Sequence, residues 1–324
     1  MTFGQRLMRD GWTVRAMNAM RAIRFSGRLH AEFLAAGIDV VVASSIRASL
    51  LMSVTRASRR TSTILFAQNS IPLGLFAAAA LVGADRLALI SAGSSTTFPS
   101  WIGRRFRSRT VLLPSGRSLE RYSADAAEAA DASRRTDGEA PRRLRIVSVC
   151  GISERKGLHD LIEAIGGANG RGSDLTLTVV GAAINADAER YRAALVDLAR
   201  PSGVDVEWAG WQDDVRPYLL GADVFALASY HEGLPGVIIE AMAAGLPVVA
   251  TDAGGCREIV EDGDTGFVVP VGDVDALRDA FLKLSRDDGR LAMGRRGRLR
   301  AEAQFTVDAF WSRFAEVVSG TIRR

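Results

Sequence analysis

Glu232 and Glu240 stand on either side of a helix start in the segment EGLPGVIIEAMAAG, a spacing that lets two carboxylates reach one ligand. The residues before them, ADVFALAS (222–229), form a continuous apolar run bounded by turn residues, the pattern of a central parallel strand buried on both faces. After a short polar loop, Pro235 suits a first helical position and Gly245 the C-terminal stop. In open parallel sheets ligands gather at the carboxyl ends of strands, and a helix N-terminus there presents unpaired N–H groups to phosphate. A carboxylate accepts paired hydrogen bonds from the vicinal hydroxyls of a sugar or ribose. The ligand these residues suit carries hydroxyls beside phosphates, as a nucleotide sugar does.

Other segments repeat the strand, loop and helix order. LRIVSVCGISERKGLHDLIEAI (144–165) places Lys156, one of only two lysines in the chain, just before a helix start. VDVEWAGWQDDVRPYLLGADV (204–224) reads as a strand ending at Gly210, a short helix and the next strand. In DAGG (252–255), Gly254 and its neighbour permit close backbone approach to a ligand.

The run E-x7-E, continued by AMAAGLPVVATDAGG and EIVEDGDTGFVVP, resembles the family-4 (GT4) retaining glycosyltransferases of GT-B fold, the glycosyl transferases group 1. The resemblance implies that Glu232 contacts the donor sugar near the reacting centre and that Glu240 holds the ribose hydroxyls. It sets Gly233, Leu234, Pro235 and Gly236 near the sugar and diphosphate. RKG is similar to the family's phosphate-binding loop, so Lys156 is expected to meet the donor diphosphate, assisted by Arg155. A lysine there neutralises charge on the departing diphosphate, a step that needs no metal. Trp211 and Gln212 are expected near the nucleobase, read by backbone, with the Trp211 side chain packing rather than stacking. The chain departs from the family pattern at Cys150 and Gly151, where an arginine is usual, and at Gln68, Asn69 and Ser70, where a histidine is frequent. Of His30, His159 and His231, only His231 adjoins the implied site.

The implied activity is transfer of a sugar, of the hexosyltransferase type, from a UDP- or GDP-linked donor to a hydroxyl of a glycan or lipid-linked acceptor, with no further cofactor and no metal. Two alternatives stay open on the residues alone. One is a non-catalytic or truncated GT-B protein that binds a nucleotide sugar as an accessory subunit. The other is a nucleotide-sugar epimerase of the same fold. The family's acceptors fit polysaccharide and cell-envelope biosynthesis.

The elements that must position these residues read as α/β, with two Rossmann-like domains. Residues 1–122 form a short acceptor-side domain with strand-like runs GWTVRAM, GIDVVVAS, TSTILFAQ, RLALIS and RTVLLPS. Because FGQRLMRDGWTV resembles the family's first helix and second strand, this domain is expected to lack its opening strand. Residues 123–143 are polar and Ala-rich, as in a linker; residues 144–304 make the nucleotide-sugar-binding domain. Residues 305–324, with aromatics at mostly helical spacing, are expected to form a helix packing back across the domains.

Composition bounds the setting. With 48% hydrophobic and 24% charged residues the chain is an ordinary globular sequence, and its longest apolar run, IPLGLFAAAALVG, is too short to span a bilayer. The N-terminus lacks the apolar stretch of a secretory signal. Cys150 and Cys256 are too few for a disulfide framework, so a cytoplasmic location is expected. The first 120 residues hold 16 arginines against 5 acidic residues, while the remainder is net acidic. WIGRRFRSR (101–109) mixes aromatics with arginines, which suits an anionic membrane surface, peripheral on the inner face of the cytoplasmic membrane. No nucleic-acid module accompanies the charge, and no nucleic-acid partner is expected.

Overall fold

The computed structural model describes residues 37–43, 62–67, 84–93, 107–122, 143–286 and 289–322. Outside them lie the run GWTVRAM, the positions Gln68, Asn69, Ser70 and His30, most of WIGRRFRSR, and all of the linker except Arg143.

The described residues fall into two units. One holds residues 37–43, 62–67, 84–89, 107–112 and 314–322; the other holds residues 90–93, 113–122, 143–286 and 289–313. In the first, strands β1 (Val40–Ala43), β2 (Ser62–Ala67), β3 (Arg86–Leu89) and β4 (Thr110–Leu112) form a parallel sheet in sequence order. Its core is β-branched and aliphatic, with Ile64, Leu65, Leu87 and Leu89 buried.

The second unit is built on six parallel strands: β5 (Leu144–Val149), β6 (Leu175–Val180), β7 (Asp205–Gly210), β8 (Val224–Leu227), β9 (Val248–Thr251) and β10 (Gly266–Val269). Their spatial order is β10-β9-β8-β5-β6-β7. The chain therefore runs outward from β5 to β7, then returns to the other side of β5 to lay down β8. That reversal makes the carboxyl ends of β5 and β8 the switch point at which open parallel sheets bind ligands. Strand β8 is buried along its whole length, as its unbroken apolar run requires. Asp223, buried at its start, accepts from the backbone N–H of Arg145 at 2.9 Å and from the Arg145 guanidinium, while its own N–H donates to the Arg145 carbonyl. This exchange fixes the register of β5 against β8. Both sheets match the expected α/β class of paired Rossmann-like domains.

The helices of this unit are α1 (Leu158–Asn169), α2 (Ala186–Ser202), α3 (Arg216–Gly221), α4 (Gly236–Ala243), α5 (Cys256–Ile259), α6 (Val274–Arg286) and α7 (Arg290–Gln304); α8 (Val307–Ser319) follows, its residues up to Arg313 in this unit and the rest in the first. Helix α4 starts one residue later than its sequence suggests. Pro235 is its N-cap, at φ −72° and ψ 98°, rather than its first helical residue, because extended backbone at Pro235 is needed to turn the chain out of the preceding loop. Gly245 takes the expected left-handed stop at φ 77°. Helix α4 is buried at all but Val237 and Glu240. Gly294 on α7 lets that helix approach closely, since a Cβ there would lie 2.0 Å from the Gly245 carbonyl oxygen. Among the described residues no helix is long and apolar enough to cross a membrane.

Two left-handed glycines separate backbone strain from crowding. Gly157 has φ 61° and a Cβ there would sit 2.1 Å from the Ala228 carbonyl oxygen, whereas Gly203 has φ 65° and open space around it. Gly203→Ala is expected to cost about 1–2 kcal/mol, the left-handed penalty alone. Gly157→Ala should cost about 3 kcal/mol or more, because strain and overpacking add. Urea midpoints of the two variants check the difference.

Candidate functional site

The switch point gathers most of the residues singled out by sequence. The chain leaving β5 forms a 3-10 turn (Glu154–Lys156), and Gly157, in left-handed conformation, passes it into α1. Because Gly157 carries no side chain, this phosphate-type loop lies directly against the end of β8. Lys156 Nζ then donates to Glu232 Oε1 at 2.6 Å, with both side chains largely buried. Arg155 turns away from the pair, its guanidinium donating to the His231 carbonyl at 2.5 Å, while its own carbonyl accepts from the Tyr230 N–H at 2.8 Å. The loops after β5 and β8 are thus tied at three points. His231 itself is an exposed loop residue.

A third loop closes on the second. Gly254, at φ 58°, lies so near the Glu232 backbone that a Cβ would be 2.0 Å from its carbonyl oxygen. The Gly255 N–H donates to the Gly233 carbonyl at 2.8 Å, and Leu234 borders the same glycine. Gly254 therefore serves the approach of loop to loop, holding the backbone that carries Glu232. Beside it, Glu258 accepts from the Ala92 N–H at 2.6 Å and from the Gly93 N–H at 3.3 Å.

Glu240 projects from the first turns of α4, as expected, and is half-buried. Burial pushes its carboxyl above the usual range, and the Arg117 guanidinium, 3.9 Å away, pulls it partly back. Nearby, burial and then the Glu240 charge raise the Tyr122 phenol. Arg117 also rests on Gly236: a Cβ at that residue would fall 1.7 Å from a guanidinium nitrogen. The amides of Gly236 and Val237 begin α4 and have no acceptor within the helix.

Two cavities flank the phosphate-type loop. One of ≈ 860 Å³ lies between residues 151–156 and the start of α2, whose N-cap Asn185 accepts from the Ala188 N–H. The other, ≈ 500 Å³, is walled by Glu154, Arg155, His159, Tyr191 and Tyr230. In it His159 Nδ1 lies 2.7 Å from the Tyr191 hydroxyl and its Nε2 3.3 Å from the Tyr230 hydroxyl, which donates to buried Asp160 at 2.9 Å. Cys150 is buried, and desolvation holds its thiol up to about 11, so it stays protonated and neutral beside the loop.

One expectation fails. Trp211 does not pack: it is 72% exposed, with its indole N–H donating to Asp213 at 3.2 Å. It follows β7, an edge strand of the sheet, which no further strand pairs among the described residues. Gln212 instead turns inward to donate to the Ala209 carbonyl at 2.8 Å. Sequence reasoning passed over Arg117, Tyr122, Glu258 and the partners of His159, and set His159 itself aside in favour of His231, which is exposed. Nothing in their local sequence signals a site, since each acts across a long stretch of chain.

Residues 143–287 match the family model described as glycosyl transferases group 1. The chain is 35% identical over 177 residues to the lipopolysaccharide core biosynthesis glycosyltransferase LpsE of Rhizobium meliloti, covering 54% of this chain and 49% of that protein. It is 31% identical over 251 residues to the GDP-mannose-dependent alpha-(1-6)-phosphatidylinositol monomannoside mannosyltransferase of Mycobacterium tuberculosis, covering 74% of this chain and 62% of that one. The chain thus spans between about half and three-fifths of the length of these two relatives. Among solved structures, Alr3699/HepE of Anabaena in complex with UDP superposes with a TM-score of 0.74 at 20% identity, over 91% of this chain and 82% of that one. The apo lipopolysaccharide outer core galactosyltransferase WaaB gives 0.72 at 17%, over 93% and 80%. These likenesses establish the GT-B architecture.

The raised Glu240 carboxyl has a consequence for stability. The folded state binds this proton more tightly than the unfolded chain, so ionisation penalises folding. The penalty is absent below the unfolded value and grows as pH rises through the folded one. Glu240→Gln is therefore expected to melt higher than wild type at pH 7, with the gap closing as pH falls toward the unfolded carboxyl range. Loss of the 3.9 Å approach to Arg117, whose side chain is 45% exposed and makes no hydrogen bond to Glu240, offsets little of the gain. Melting temperatures of both proteins across this range test the sign.

Proposed function

We propose that the chain is a retaining glycosyltransferase, moving a sugar from a nucleotide-sugar donor to a hydroxyl of a glycan or lipid-linked acceptor. The observation that carries this reading is the Lys156–Glu232 pair at 2.6 Å across the β5–β8 switch point, with Glu240 on the helix that follows. A cation for phosphate and two carboxylates for hydroxyls are set at the end of one sheet, beside a helix N-terminus.

In this reading Lys156, the amides at the start of α4 and the backbone of Gly233 and Leu234 receive the diphosphate and sugar. Glu240, half-buried and accepting no side-chain hydrogen bond among the described residues, takes the ribose hydroxyls. Glu232 takes sugar hydroxyls and orients the ring, without forming a covalent intermediate. The bond that breaks joins the anomeric carbon to the diphosphate oxygen, and the bond that forms joins that carbon to the acceptor oxygen on the same face. The acceptor proton passes to the departing diphosphate. The protein's contribution is positioning and charge stabilisation, which Lys156 supplies as negative charge grows on the leaving group.

The relatives support the choice of donor and acceptor. One is crystallised with UDP and others are named as GDP-mannose-dependent, favouring UDP- or GDP-linked sugars. Their names refer to lipopolysaccharide core, amylovoran and phosphatidylinositol mannosides, favouring a cell-envelope acceptor. The arginine-rich first 120 residues favour a place on the inner face of the cytoplasmic membrane.

Calorimetric titration with UDP, GDP and ADP is expected to show saturable binding of one nucleotide, weakened about tenfold or more by Glu240→Ala as hydrogen bonds to a charged acceptor are lost. Supplied with the matching nucleotide hexose and a lipid-linked acceptor, the protein should give a product of unchanged anomeric configuration by NMR. Glu232→Ala should lower turnover by roughly 10²-fold. Full transfer by that variant would remove Glu232 from the mechanism, and an inverted product would remove retention.

A further inference from the structure

The two carboxylates of the site, Glu232 and Glu240, offset the charge of the two cations on the phosphate-type loop, Arg155 and Lys156. Both cations are already engaged. The Lys156 ammonium is held by Glu232 at 2.6 Å, and the Arg155 guanidinium donates to the His231 carbonyl. A diphosphate brings at least two negative charges into this neutral set, and burial around Glu240 makes added negative charge costly. The site therefore needs a further cation.

Arg117 meets that need. It lies far from these loops in sequence, yet its backbone is clamped: its N–H donates to the Phe305 carbonyl at 2.8 Å and its carbonyl accepts from the Val307 N–H at 3.2 Å. Gly116 lets this segment press against residues 306–310, since a Cβ there would lie 2.6 Å from the Thr306 carbonyl oxygen. From this anchor the side chain reaches the first residue of α4 and lies over Gly236, filling the space a side chain would take. Its Nε approaches Glu240 to 3.9 Å, beyond hydrogen-bond reach. Among the described residues the guanidinium donates no hydrogen bond, and the side chain is 45% exposed. A planar group with five donors, held at the helix start and open to solvent, has the geometry that binds phosphate oxygens in pairs.

We infer that Arg117 is a donor-binding residue, gripping the diphosphate of the nucleotide sugar where it meets the N-terminus of α4 and supplying the net positive charge of the site. The inference rests on the reading of Glu240 and α4 as the nucleotide site. Its partner in position is Glu240: the guanidinium lies over Gly236 and 3.9 Å from the carboxylate assigned to the ribose, so it reads the junction of ribose and phosphate. The absence of a Gly236 side chain is what leaves room for it.

The test is a calorimetric series on wild type, Arg117→Ala, Arg117→Lys and Glu240→Ala, each checked for an unchanged fold by thermal melting. The ligands are whichever of UDP, GDP and ADP the wild type binds, with the matching monophosphate and nucleoside. Arg117→Ala is expected to weaken the diphosphate about ten- to a hundredfold and leave the nucleoside unchanged, with partial recovery in Arg117→Lys. The salt dependence of diphosphate binding should fall in parallel. Equal losses for nucleoside and diphosphate would assign Arg117 to holding Glu240 in place and overturn the inference. Unchanged diphosphate affinity in Arg117→Ala, with binding lost in Glu240→Ala, would overturn it while leaving the nucleotide site standing. Failure of wild type to bind any of the three nucleotides would remove both.

Discussion

The ion pair between Lys156 and Glu232 is the interaction on which the site is organised. Its partners follow β5 and β8, strands that are neighbours in space but far apart in sequence, and it closes at 2.6 Å only because those strands are in register. That register is set at the opposite end of the strands by Asp223 and Arg145, so two charged pairs bracket the central ladder. Removing either partner of the upper pair would leave a largely buried charge without compensation, a heavier cost than the net worth of the contact. The pair also joins the group suited to phosphate to the group suited to sugar hydroxyls, so a ligand carrying both engages the two together.

Bringing three loops to one point is a problem of space, and glycine solves it. Gly157 sets the 3-10 turn against the end of β8, Gly254 sets the third loop against the Glu232 backbone, and Gly255 donates across to Gly233. At each a Cβ would overlap backbone atoms that cannot move aside. Helix α4 is held from behind in the same way, by α7 approaching through Gly294. The carboxylates are therefore presented from backbone fixed by close contact, the condition for positioning a reacting group.

Beneath the phosphate-type loop, the His159, Tyr191, Tyr230 and Asp160 cluster ties α1, α2 and the loop after β8 together. His159 stacks on Tyr230 at 6.0 Å between centroids, and the Tyr230 backbone hydrogen-bonds to Arg155. Buried Asp160 has its partner in the Tyr230 hydroxyl, so the cluster is satisfied internally. Through the Tyr230 N–H, which donates to the Arg155 carbonyl at 2.8 Å, the cluster is joined to the loop bearing Arg155 and Lys156.

Local pattern in the sequence was enough for the elements and for the residues lying in loops next to them. A continuous apolar run disclosed β8, the strand, loop and helix order disclosed β5, the stop at Gly245 disclosed the end of α4, and E-x7-E with RKG disclosed Glu232, Glu240 and Lys156, because each is placed by the few residues around it. One boundary slipped, at Pro235, since capping depends on how the preceding loop enters the helix. Trp211 was misjudged because its exposure depends on β7 being an edge strand, a fact of sheet order that no local window contains. Arg117, Glu258 and the His159 cluster were invisible for the same reason. Their partners lie between 32 and 190 residues away along the chain wherever the contact crosses elements, as in His159 with Tyr191 and Arg117 with Val307. Side-chain type and spacing determine what a residue can do; only the packed sheet decides which residues stand beside it, because contact at the switch point is made by strands that are neighbours in space and not in sequence.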